Sequence, residues 1–172
     1  MYNINVYQHN EDNTARYVLG LDGTNPLIVI GVNPSTADEK KSDPTIVRVM
    51  GYMQRNSFDG FLMINVYPER STNPGNLSKE LNQQLHRRNL LYIEGILAKH
   101  KNATILVAFG NSISIRSYLK GCFNDKINIA SKYNPTWKQI GNLTKCGNPR
   151  HPSRGFYQEL ADFDINYYVV RK

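Results

Sequence analysis

A chain of 172 residues with 21 Lys+Arg against 14 Asp+Glu, net charge +7, is long enough for one domain with a sizeable core and too short for two ordinary ones. Its two cysteines, Cys122 and Cys146, exclude a disulfide scaffold and a Cys-rich zinc or iron–sulfur site. Neither a signal-peptide layout nor a run near the length of a membrane span is present, so the expected protein is soluble and cytoplasmic, with reduced thiols.

Along the chain, short β-rich runs alternate with longer amphipathic ones, the pattern of an α/β domain with a mainly parallel central sheet. Arg16 to Leu21, followed by the Asp22-Gly23 turn, reads as part of a hairpin. Leu27 to Gly31 is the first buried strand, and Gly31-Val32-Asn33-Pro34-Ser35 sits at its carboxyl end, where ligands lie in open parallel sheets. Pro34 stiffens this turn and holds the Asn33 amide where it can orient a water; the competing reading is a plain Asn-Pro turn. Asp43 suits a helix cap, with Pro44 at the first position and an apolar stripe of Ile46, Val47, Met50 and Met53 reaching Arg55. Phe61 to Val66 is the second strand. Near its end Asn65 can read a base edge through both its donor and its acceptor, or cap the adjoining loop. Ser78 is expected to cap a long helix in which Leu81, Leu85, Tyr92, Ile93, Ile96 and Leu97 recur at helical spacing. Thr104 to Phe109 is the third strand, after which Gly110-Asn111-Ser112 supplies a cap or phosphate contacts. A third helix is expected from about Asn111 to Gly121, and Tyr133 to Thr136 reads as a surface loop.

Asn148 to Phe156 is the richest stretch. It places His151 before a proline, Arg150 and Arg154 on either side, and Ser153 at the expected start of a fourth helix that reaches Phe163. A helix amino terminus with Ser and Arg is a natural phosphate seat; the plainer alternative is that Ser153 only caps its helix. From Lys126 through Gln158 there is no Asp or Glu, yet Lys126, Lys132, Lys138, Lys145, Arg150 and Arg154 fall there. Such one-signed clustering is the footprint of a polyanion partner or of a solvated basic surface. Ile165 to Val170 reads as a further strand. The histidines His9, His86, His100 and His151 are scattered, which argues against a metal site. There is no Walker loop or Rossmann fingerprint and no serine elbow. An amide and an imidazole converging on one crevice suit cleavage of a bond whose leaving group carries negative charge, which points to a base or sugar.

These residues resemble the uracil-DNA glycosylase superfamily, with three strand-end motifs in the right order. Gly31-Val32-Asn33-Pro34 is similar to the signature of its mismatch-specific and single-strand-selective branches. Phe61 to Asn65, with Thr72-Asn73-Pro74-Gly75-Asn76-Leu77, resembles the base-recognising strand. His151-Pro152-Ser153 resembles the loop that closes on DNA. Within that superfamily the chain most resembles the DUF1643 group, through Asn33 to Ala37 and Asp43-Pro44-Thr45. The resemblance implies a three-layer α/β/α, uracil-DNA glycosylase-like domain over residues 1–172, a base flipped into a pocket, and no cofactor or metal. Asn33 would position water, His151 would stabilise the departing base and Asn65 would read it. Gly31, Val32, Pro34 and Ser35 would line the pocket, with Tyr67 as the stacking ring. Asn111, Ser112, Arg150, Ser153, Arg154 and Phe156 would contact DNA, single- or double-stranded, with Arg154 or Phe156 as a wedge. Ser35 stands where strict uracil enzymes carry a tyrosine, which leaves space for a bulky pyrimidine. The implied activity is that of a monofunctional DNA glycosylase hydrolysing the N-glycosidic bond of a mismatched or modified pyrimidine, in repair or in defence against modified phage DNA. A catalytically silent nucleic-acid binder and an enzyme acting on free nucleosides or nucleotides are the alternatives.

Overall fold

Three nearly all-apolar runs set the centre of the molecule, because a strand with no polar face must be covered on both sides. In the computed structural model, which describes residues 2–171, the strands are β1 (Val6–His9), β2 (Arg16–Leu21), β3 (Pro26–Gly31), β4 (Gly60–Asn65), β5 (Thr104–Val107), β6 (Thr136–Ile140) and β7 (Leu160–Asp162). They form a seven-stranded sheet in the order β1-β2-β4-β3-β5-β6-β7. The four inner strands β4, β3, β5 and β6 are parallel, and antiparallel pairings add β2 and β1 at one edge and β7 at the other. The sheet is therefore mixed.

The helices are α1 (Pro44–Arg55), α2 (Gln83–Lys99), α3 (Tyr118–Ala130) and α4 (Ile165–Arg171). Side chains alternate across β3. Leu27 and Val29 pack with Ile46, Val49 and Tyr52 of α1, whereas Ile28 and Ile30 join Ile93 and Leu97 of α2 and Leu119 and Phe123 of α3. This period of two covers both faces. No helix among the described residues is long and apolar enough to cross a membrane.

Local chemistry explains where elements begin. Asp43 Oδ1 accepts from the Ile46 amide at 2.9 Å and Pro44 opens α1, as expected. The stripe is shifted, because Ile46, Val49 and Tyr52 are buried while Val47 is 54% exposed. Asn82, not Ser78, caps α2 through the Leu85 amide at 3.0 Å. Ser78 is instead held by the Glu69 carboxylate, to which its hydroxyl donates at 3.0 Å.

Four expectations are corrected. Arg16 to Leu21 forms its hairpin with the preceding strand β1, while β4 inserts between β2 and β3. The third helix is broken: a 3-10 turn over Gly110–Ser114 precedes α3, and Gly110 takes φ +63, which glycine adopts without steric cost. Ser153 to Phe163 is not a helix. Exposed turns, with Gly155 at φ +77, lead into β7, which pairs with β6, a strand that begins at the end of the expected Tyr133 to Thr136 loop. Finally, the run from Ile165 is helix α4, not a strand. Asp164 caps it through the Tyr167 amide at 2.9 Å, and Ile165 and Tyr168, three apart, meet the core. A spacing of three is helical, and it overrides the β-branched and aromatic composition.

The basic run is dispersed by folding. Lys132 pairs with Glu94 at 2.9 Å and Lys138 with Asp162 at 2.6 Å. Lys126 is buried, its Nζ donating to the Cys122 carbonyl at 3.2 Å. Burial pushes its pKa down to about 8, against an ordinary 10.5. A folded-state pKa below the unfolded value means that the protonated group opposes folding at pH 7, and the penalty fades as pH rises from about 8 to 10.5. Lys126→Met is therefore expected to raise stability at pH 7 by roughly 1–3 kcal/mol, read from urea midpoints. The gain should shrink towards pH 10; an equal gain at both would show that the charge is not its cause.

Candidate active site

The chain passes from β3 through α1 to β4 on one side, then crosses through α2 to β5 on the other. That reversal opens a crevice at the carboxyl ends of the inner strands. A cavity of about 550 Å³ lies there, lined by the β3 loop, the start of α1, the Ser71–Thr72 turn, the β5 loop and the His151 loop.

Asn33 is fixed in one orientation. Its Nδ2 donates to the carbonyls of Pro34 at 3.0 Å and Ser71 at 2.8 Å. With both amide hydrogens used, Oδ1 is the remaining group, an acceptor on the cavity wall. Pro34 lies behind it, buried, and its carbonyl also accepts from the Ser71 amide at 2.8 Å. Gly31, Val32 and Ser35 line the cavity with Asn33.

His151 is fixed in its tautomer. The Ser153 amide donates to Nδ1 at 3.3 Å, and the Ser153 hydroxyl lies 2.8 Å from the same nitrogen. Nδ1 is therefore an acceptor, and the neutral ring carries its proton on Nε2. Burial, then the neighbouring Arg154 charge, hold the pKa below the ordinary 6.5, with Asp43 acting weakly the other way. The imidazole is thus a neutral donor on a residue that lines the cavity.

Asn65 is wholly buried at the end of β4, beside Gly31 in register. Neither Oδ1 nor Nδ2 has a hydrogen-bond partner, a state that costs about 1–3 kcal/mol per group. Its own carbonyl is held by Asn89 Nδ2 at 3.0 Å. A Cβ on Gly31 would lie 2.8 Å from Asn65 Oδ1 and 2.5 Å from Met63 Cε. Asn65 thus sits just under the cavity floor formed by Gly31 and the adaptable Met63 side chain.

The β5 loop is tied to the His151 loop. Asn111 Oδ1 accepts from Thr144 Oγ1 at 2.8 Å and Asn148 Nδ2 at 3.0 Å, and Asn148 Oδ1 accepts from the Tyr168 hydroxyl at 2.9 Å. Ser112 and Arg150 complete that wall, with Arg150 Nε donating to the Asn142 carbonyl at 2.8 Å. Ser153 and Arg154 stand exposed at the rim. No helix begins at Ser153, so the expected dipole-assisted phosphate seat is absent and any phosphate contact there rests on side chains and turn amides. Arg48 straps this loop: Nε donates to the Pro152 carbonyl at 3.1 Å and Nη2 to the Gly155 carbonyl at 2.8 Å. The Tyr157 ring stacks under both Arg48 and Arg55, at 3.7 and 3.8 Å. Phe156, between these anchored neighbours, is 90% exposed and outside the cavity.

Tyr67 is not at the site. It is buried against Tyr118, with its hydroxyl accepting from the Asn82 amide at 3.1 Å, so it cannot stack on a ligand in this cavity. Conversely, Arg16, Asp43, Thr45, Ser71, Thr72 and Thr144 line the cavity without having been singled out as site residues. Arg16 had a legible signal, a charge opening a run otherwise apolar to its end. Among the described residues no group of three or more His, Cys, Asp or Glu converges as a metal site would. The chain matches a family described as a protein of unknown function (DUF1643) over residues 16–153. No curated protein and no solved structure matches it.

Proposed function

The chain belongs to the DUF1643 family, and because that description carries no function we propose one from the cavity: a DNA glycosylase with a uracil-DNA glycosylase-like architecture, releasing a flipped, modified or mismatched pyrimidine. The observation that carries this reading is the pairing of an oriented acceptor, Asn33 Oδ1, with a neutral donor, His151 Nε2–H, on one cavity at the sheet's switch point. In the reaction the bond from the sugar's anomeric carbon to the ring nitrogen breaks and its electron pair leaves with the base. Asn33 Oδ1 orients the water whose oxygen bonds to that carbon, and the water's proton passes to solvent. His151 Nε2–H donates to the base oxygen on which negative charge builds, a preorganised dipole placed where charge develops. Asn65 meets the base edge once Met63 yields. Arg150 and Arg154 supply positive charge to the DNA backbone.

The test is incubation with single- and double-stranded oligonucleotides carrying uracil, mismatched thymine and bulky modified pyrimidines, followed by alkaline cleavage at abasic sites. Cleavage of any one supports the reading. Salt-sensitive DNA binding without cleavage moves it to a silent binder. Phe156 gives a separate expectation, since an exposed ring on a strapped loop is shaped to enter a base stack. Phe156→Ala should reduce release from duplex by about 30-fold, matching about 2 kcal/mol of unstacking, and leave single-stranded substrate nearly unchanged. Equal effects on both would remove the wedge role.

A further inference from the structure

Arg16 is a buried cation on the cavity wall that the proposed reaction does not use. The residue is 2% exposed and lines the cavity. Nη1 donates to the Ala37 carbonyl at 2.8 Å, and Nε has no hydrogen-bond partner. Arg70 Nη2 reaches the same Ala37 carbonyl at 3.1 Å, so two guanidinium groups share one neutral acceptor. No ion pair within 4.0 Å joins either to a carboxylate among the described residues. Asp43 faces the same cavity, but its oxygens are turned to the amides of Ile46 at 2.9 Å and Ala37 at 3.4 Å. A charge taken out of water without a close counter-ion is costly, and the fold keeps this one at the wall of its best-placed cavity. Arginine is also the side chain whose rigid fork matches both carboxylate and phosphate oxygens.

We infer that Arg16 is the cavity's oxyanion receptor, and that the substrate brings an anionic group, a carboxylate on the base or the phosphate of a mononucleotide, to its guanidinium, which no carboxylate among the described residues pairs. The inference rests on the cavity of the proposed function being the substrate site. It adds a substrate class: an acidic ligand, bound partly by charge, in place of an unsubstituted base held by the Asn65 amide alone. The cavity volume, about 550 Å³, leaves room for such a group beside a pyrimidine ring.

The experiment is calorimetric titration of the full chain with deoxyuridine, deoxyuridine monophosphate and a deoxyuridine carrying a carboxylate on its fifth carbon. In the wild type at least one anionic ligand should bind about ten-fold or more tightly than deoxyuridine, the strength of a charge-assisted hydrogen bond. In Arg16→Gln that preference should collapse towards unity, and Arg16→Lys should keep part of it. Preference for the phosphate identifies a free nucleotide; preference for the ring carboxylate identifies a modified base. Equal binding of neutral and anionic ligands by the wild type, no binding of any anionic ligand, or an unchanged preference in folded Arg16→Gln overturns the inference. Binding is read without base release. A protein that prefers the anion yet makes no abasic sites keeps this inference and loses the glycosylase, and one that cleaves without anion preference does the reverse.

Discussion

Replacing Asn33 by Ala is expected to lower base release by about 100-fold or more, because a misplaced nucleophile costs on that order, while the protein stays folded and bound to DNA. The amide's two hydrogens are committed to the Pro34 and Ser71 carbonyls, so its oxygen cannot rotate away from the cavity. Ala removes that oxygen and releases the Ser71 turn, at a stability cost of about 1 kcal/mol per lost hydrogen bond. Asn33→Asp sharpens the case. A carboxylate there would set an acceptor against two carbonyl oxygens, so it should also lose activity and not act as an improved base. Single-turnover abasic-site formation measures the effect, with circular dichroism and DNA binding as controls. Release by Asn33→Ala at the wild-type rate would remove Asn33 from the site.

His151→Ala is expected to cost about 10²–10³-fold in the same assay, the usual consequence of removing one donor to developing negative charge. The pH profile carries more information than the loss itself. Burial and Arg154 hold the imidazole's pKa below 6.5, so the neutral Nε2–H form predominates at neutrality. A proton on Nδ1 would displace the Ser153 amide that orients the ring, so the rate should be flat above pH 6.5 and fall as pH drops through that lowered value. A rate that instead rises into acid would show the imidazolium to be the working form. His151→Gln, which offers an amide donor without titrating, should recover part of the rate and lose the acid limb. Stability follows the same sign: with the folded-state pKa below the unfolded one, the contribution of this group is complete above about pH 6.5 and is lost as pH falls through the folded value.

Strands β3, β4 and β5 were legible because an apolar run of five or six residues between turn signals has few other ways to be buried, whereas β6, with Lys138 and Gln139 inside it, carries no such run. The start of α1 was legible from Asp43-Pro44. Features that share a composition with something else were not. Ile165 to Tyr168 has the residues of a strand, yet Phe109, Phe123 and Phe163 accept Tyr168 at ring distances of 6.1, 6.1 and 5.3 Å only from a helix. Ser153 to Phe163 has the spacing of a helix, yet Arg48 holds its first part in turns and the edge pairing with β6 draws its last part into a strand. At the site, Asn33 and His151 could be chosen from their loops, whereas Tyr67, an aromatic beside a strand end, was drawn into the core.

Sequence alone determined the α/β class, the strands β3, β4 and β5 and the two loops that line the cavity, since these follow from local patterns of apolarity, proline and capping residues. Only the tertiary structure decided which charges count. Lys126, Lys132 and Lys138 were absorbed by burial or by partners distant in sequence. Arg16, far from both loops, was brought to the cavity wall because β4 inserts between β2 and β3 and sets the start of β2 beside the carboxyl ends of the inner strands. Burial and charge pairing depend on neighbours many residues away, and strand order, which linear spacing does not encode, is what supplies them.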